Sequence, residues 1–143
     1  MLEFSPSGEK LLVSRGVEVN QDLWLYFIED GKKFVKKASF NSMGHSFWID
    51  PHRFLFNSID LKKGTRTKDG DDWRCSSALY DSAVEELIIL KEATETKDYI
   101  ITGCDHDEGT IDITEGSVKN KNDWSDPDKI QYNEITIPFP TAG

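Results

Sequence analysis

Three times along the chain an aromatic residue is followed within three positions by proline, a tight polar turn and a short run with strand character. The first copy runs from Phe4-Ser5-Pro6-Ser7-Gly8 into Leu11-Leu12-Val13. The second runs from Trp48-Ile49-Asp50-Pro51 into Phe54-Leu55-Phe56, and the third from Trp124-Ser125-Asp126-Pro127 into Ile130-Gln131-Tyr132. Proline presets φ for a turn position, and Gly, Asp or Ser completes the turn. A chain punctuated in this way reads as antiparallel strands folded back on one another, with each aromatic lying beside a returning strand.

The first two copies continue alike. Asp22 to Ile28, the turn Glu29-Asp30-Gly31-Lys32 and Lys33 to Lys36 predict a hairpin, because an Asp-Gly pair between apolar runs is a strong short-range hairpin signal. Ser77 to Asp81, a turn near Ser82-Ala83-Val84 and Glu86 to Leu90 predict another. A third hairpin is expected from Asp98 to Thr114, where Ile111 and Ile113 alternate with polar neighbours as in a half-buried strand. The prolines of Ile137-Pro138-Phe139-Pro140 confine the last strand to an edge or terminal position. The segment 62–73 is polar and reads as a mobile insertion. One window competes with this reading. Ser82-Ala83-Val84-Glu85 ahead of an apolar stretch is a capping-box signature, and taken alone it predicts a helix from Ala83 to Ala93. The internal periodicity favours the hairpin.

The segment Phe4-Ser-Pro-Ser-Gly-Glu-Lys-Leu-Leu-Val-Ser with Asp22-Leu-Trp-Leu-Tyr resembles the WD40-like repeat of TolB-type β-propellers. Ser7 stands where that repeat usually has Asp. The second copy keeps Trp48-Ile-Asp-Pro and Ala78-Leu-Tyr-Asp without the turn glycine, and the third keeps only Trp124-Ser-Asp-Pro. The resemblance implies one all-β domain over 1–143, with propeller-like four-stranded antiparallel meander blades at about 4–39, 46–93 and 97–138. That is two to three blades of an incomplete ring, since closed propellers take about 4 to 8. A homo-oligomer that completes or covers the blades is therefore expected. The alternatives are a β-sandwich-like packing, or an α+β fold with a helix at 83–93.

Net charge is −9 and unevenly placed: residues 1–71 carry 11 basic and 10 acidic side chains, residues 72–143 carry 6 and 16. So acidic a chain repels phosphate backbones, which argues against nucleic acid. Lys32, Lys33, Lys36 and Lys37 read as the solvated edge of a hairpin. The most apolar stretch, Leu87-Ile88-Ile89-Leu90, is four residues, far short of a membrane span. No basic n-region followed by an apolar h-region opens the sequence, so the cytoplasm is the default compartment. Whether Cys75 and Cys104 pair is left open, because two cysteines are not a disulfide framework.

Candidate chemistry is sparse. His45 and Ser46 lack the elbow of a hydrolase, and neighbours on a strand point to opposite faces. Asp105, Asp107 and Asp112 have some of the spacing of a calcium loop but lack the distant bidentate glutamate. Cys104 and His106 could hold zinc only with partners from elsewhere. Among the tryptophans, Trp48 and Trp124 are expected in the core in the place of Phe4, and Trp73 on the polar insertion is the candidate for contact with a ligand or partner. The expected function is a non-enzymatic module for protein–protein interaction or self-assembly. The alternatives are a hydrolase or accessory domain acting on peptides or glycans, and a calcium- or carbohydrate-binding domain.

Overall fold

The computed structural model describes residues 1–17, 20–60, 66–67, 70–71 and 74–141. Its strands are β1 (Leu2–Phe4), β2 (Lys10–Val17), β3 (Asn20–Glu29), β4 (Lys33–Trp48), β5 (Arg53–Asp60), β6 (Arg66–Thr67), β7 (Gly70–Asp71), β8 (Arg74–Asp81), β9 (Glu86–Lys91), β10 (Lys97–Asp105), β11 (Thr110–Ser117) and β12 (Gln131–Pro138). Two 3-10 turns, Lys121–Ser125 and Pro127–Lys129, precede the last strand. The fold is all-β.

Seven strands in the order β1-β2-β3-β4-β5-β8-β9 form one antiparallel sheet curled into a half-barrel, and β10-β11-β12 form a second. The hairpin expected at Asp30-Gly31 is present. Both residues take positive φ (54° and 69°), and Lys32 N–H donates to Glu29 O. Such a tight turn matches the right-handed twist of its strands, and Gly enters that region without a Cβ penalty.

Strand order corrects the expected division into blades. Units 4–39 and 46–93 are not separate four-stranded sheets, because β4 pairs with β5 through Ser42↔Ser58 and Trp48↔Phe54. The three aromatic corners are not equivalent either. Phe4 ends the edge strand β1 and is 56% exposed, Trp48 is buried at the end of β4, and Trp124 lies in a 3-10 turn with its indole N–H donating to Glu95 O. Only Trp48 takes the core position expected of all three. The competing helix at 83–93 does not form, since residues 82–85 turn and β9 follows. The hydroxyl that reads as a helix cap is used otherwise: Ser82 Oγ donates to His52 O at 2.6 Å, and Ser82 N–H donates to the same carbonyl. A cap must accept from the first helical turn.

The sheet is covered on both faces at its centre. β5 is buried throughout Arg53–Asn57 and β8 throughout Arg74–Tyr80, as strands covered on both sides are. Their inward residues Phe54, Phe56, Ala78 and Tyr80 join Leu12, Leu23, Leu25 and Trp48 inside the curl, with Phe40 4.8 Å from the Phe56 ring. Their outward residues Leu55 and Leu79 meet Ile101, Ile111 and Ile113 of the small sheet. Asn57, 1% exposed, locks the two sheets together. Its amide donates to Ile101 O at 3.3 Å and accepts from Ile101 N at 2.7 Å, while Ser77 Oγ donates to Tyr99 O. These side chains satisfy backbone groups on the β10 edge that faces away from β11. Both cysteines are free thiols.

Candidate functional site

The small sheet covers the outer face of the half-barrel over β5, β8, β9 and the end of β4, where Phe47 joins its core. Over β1 to β3 and the start of β4 the outer face is apolar and, among the described residues, open. Alternation assigns it Leu2 and Phe4 on β1, Leu11, Val13 and Arg15 on β2, Trp24, Tyr26 and Ile28 on β3, and Phe34 and Lys36 on β4. The register stacks these residues across strands: Leu2↔Val13, Phe4↔Leu11, Val13↔Trp24, Leu11↔Tyr26 and Ile28↔Phe34. Cross-strand aromatic and aliphatic pairs of this kind stabilise a sheet locally. Yet Leu2, Phe4 and Phe34 remain 66%, 56% and 53% exposed. Leu11, Val13, Trp24, Tyr26 and Phe34 line a shallow depression of about 250 Å³. Cations flank the tryptophan, with Lys36 Nζ 4.9 Å and Arg15 Cζ 5.9 Å from the centroid of Trp24. Each lies within the range in which a ring face attracts a cation.

The residues singled out from the sequence lie elsewhere. Trp73 and most of the 62–73 insertion fall outside the described residues. Asp105 closes the β10–β11 turn, its Oδ1 accepting from Asp107 N at 2.9 Å and Glu108 N at 3.1 Å. Asp112 sits on β11 and accepts from Thr136 Oγ1. Their carboxylates thus serve an Asx turn and a cross-strand bond. Among the described residues no three His, Cys, Asp or Glu side chains converge in a way that could hold a metal ion. His106 Nε2–H donates to Trp48 O at 2.9 Å, and burial, followed by Asp112, Glu3 and Asp105, pushes the Cys104 thiol up from its ordinary pKa. Neither is poised as a zinc ligand, which must be a thiolate or a free imidazole nitrogen. Ser46 Oγ is buried and hydrogen-bonds to no described residue, His45 included. Trp124 is held by the Arg74 guanidinium stacked on its ring at 3.9 Å.

A polar depression of about 470 Å³ lies beside Lys97, Lys119, Lys129, Asp123 and Asp128. Its Lys129 ammonium is 3.5 Å from Asp123. Among the described residues no helix is long and apolar enough to cross a membrane. The open outer face escaped sequence reasoning, although a signal for it exists. Leu11-Leu12-Val13 and Leu23 to Ile28 are unbroken apolar runs, and such a run places apolar side chains on both faces of its strand. No protein-family model, curated protein or solved structure matches this chain.

Proposed function

We propose that this chain is a non-enzymatic protein-interaction module whose docking surface is the outer face of β1 to β4. The observation that carries the reading is the aromatic depression around Trp24, open to solvent and flanked by Arg15 and Lys36. Contiguous exposed apolar surface of this kind marks interaction sites in soluble proteins. The flanking cations select the partner: a segment with apolar side chains for the depression and carboxylates for Arg15 and Lys36. Aromatic residues and Arg are also the side chains over-represented at binding hot spots. The resemblance of residues 4–26 to a TolB-type repeat lends a binding role by analogy. The docking surface itself is argued from the sheet face, because fold alone does not fix function.

The test uses two synthetic peptides of equal apolar content, one acidic and one basic, titrated against the full chain by two-dimensional NMR. The acidic peptide is expected to shift the Trp24 and Tyr26 signals, and Phe34→Glu is expected to weaken its binding by about tenfold or more, worth ~1.4 kcal/mol. Equal binding of the basic peptide, or indifference to Phe34→Glu, would overturn the assignment.

A further inference from the structure

The small sheet carries the chemistry that the open face of the large sheet is built to accept. Ile101, Ile111, Ile113, Ile135 and Ile137 turn toward the large sheet. Alternation therefore turns Asp112 and Thr114 on β11, and Tyr132, Glu134 and Thr136 on β12, to the opposite side. Tyr132 is 67% exposed there, and Asp112, Glu134 and Thr136 are exposed with it. The register sets Glu134 opposite Thr114 and Thr136 opposite Asp112, and each hydroxyl donates to the carboxylate across from it. Thr114 Oγ1 reaches Glu134 at 3.0 Å, and Thr136 Oγ1 reaches Asp112 at 3.1 Å. These bonds hold two carboxylates in place on the same face as the exposed ring. Alternation assigns no lysine or arginine to this side of β10, β11 or β12.

We infer that the docking surface takes a second copy of this chain, whose β11–β12 face seats Tyr132 in the depression around Trp24. The inference rests on the docking surface proposed above and names its occupant. Charge selects this pair of faces. Arg15 and Lys36 flank Trp24, whereas Asp112 and Glu134 accompany Tyr132. Two outer faces meeting would oppose cation to cation, and two small sheets would oppose carboxylate to carboxylate. Asp22 stands opposite Arg15 in the β2–β3 register and shares its charge, so Lys36, opposite Tyr26, carries more of the attraction. Spacing agrees with this. Residues two apart on a strand are about 7 Å apart, so Tyr132 over the depression brings Glu134 to its border. The Lys36 ammonium waits there, 4.9 Å from the Trp24 ring centroid. The halves of the chain attract at longer range as well, since residues 1–71 carry 11 basic and 10 acidic side chains and residues 72–143 carry 6 and 16. The two faces are different patches, so copies join head to tail and each keeps one free face of each kind.

Sedimentation velocity on the full chain, from about 1 μM to about 500 μM, reads association as a dissociation constant. Mass is expected to rise with concentration, and less so as sodium chloride is raised from about 0.02 M to about 0.5 M. Phe34→Glu on one face and Tyr132→Thr on the other should each weaken association by about tenfold or more. Both positions are exposed and threonine keeps strand propensity, so the far-UV circular dichroism of each variant should match the parent. Mixed in equal amounts, the two variants should form a species of twice the monomer mass and nothing larger, because one intact face of each kind remains. A monomer throughout the range, association indifferent to Tyr132→Thr, or a mixture no heavier than either variant alone overturns the inference. A monomeric chain that still binds the acidic peptide at Trp24 refutes only the second copy as occupant. A chain that binds neither refutes the docking surface with it.

Discussion

Asn57 is the residue on which the joining of the two sheets should depend most sharply. Asn57→Ala removes the donor to Ile101 O and the acceptor for Ile101 N, in a place where Asn57 and Ile101 are 1% and 3% exposed. A net contribution of about 1 kcal/mol per hydrogen bond is the smaller part of the loss, because each buried backbone group left unsatisfied costs about 1–3 kcal/mol more. Over the two bonds and the two orphaned groups the loss is about 4–8 kcal/mol, against a total stability of about 5–15 kcal/mol for a domain. At roughly 3–4 °C per kcal/mol for a chain of this size, the melting temperature should fall by about 12–30 °C. Two companions isolate the cause. Asn57→Leu restores volume without hydrogen bonds and should be nearly as damaging as alanine. Asn57→Asp keeps the acceptor but buries a carboxylate, whose folded-state pKa is raised, so its stability should decline as pH rises through the carboxylate range. Circular dichroism melts give the energies, and amide exchange at Ile101 should accelerate in all three variants. If Asn57→Leu lies within about 1 kcal/mol of the parent, the side chain only fills space and the reasoning is refuted.

Gly44 takes φ +67° on β4, and an added Cβ would stand 3.6 Å from Asn57 Nδ2, whereas at Gly103 an added Cβ meets nothing within 4 Å. Gly44→Ala should therefore cost about 1–2 kcal/mol in urea titrations, while Gly103→Ala should change stability by less than about 1 kcal/mol. Two carboxylates should respond to pH with opposite signs. Burial raises the pKa of Glu3 above 4.5, with His45 opposing it, so the folded state holds its proton longer and loses stability as pH rises through that range. Glu3→Gln should gain on the parent in melts at pH 7 relative to pH 4. At Asp50 burial again pushes upward, but the Arg53 side chain and the backbone N–H groups of His52 and Arg53 outweigh it and hold the pKa below 3.8. Its contribution is present above 3.8 and is lost as pH falls through the lower folded-state value, so Asp50→Asn should cost most at neutral pH and least near pH 2. Cys75 is buried, which pushes its thiol up, with Asp98 adding to the effect. It should react with a thiol reagent only on unfolding, so native-state labelling as fast as in urea would contradict its placement.

The sequence carries its local geometry openly. Asp30-Gly31 forms the hairpin its chemistry demands, and Ile111 and Ile113 point inward as their alternation requires. Where a local signal failed, a distant atom had taken the group. Ser82 has the look of a helix cap, but its hydroxyl goes to His52 O, thirty residues back. Asn57 and Ser77 read as polar interruptions of apolar strands, and their purpose appears only once β10 crosses them. The repeat of aromatic and proline misled because a corner describes a turn and not its surroundings, and Phe4, Trp48 and Trp124 have three different ones.

By itself, then, the amino-acid order determined the strands, their turns and the acidic balance of the second half, since those depend on φ preferences and on a side-chain period of two. Tertiary structure alone decided that β4 pairs with β5, that the small sheet covers one half of an apolar outer face, and that, among the described residues, the other half stays open. Pairing and coverage are contacts between residues far apart in the chain. The period of a strand says which side chains share a face, and nothing about what comes to lie against it.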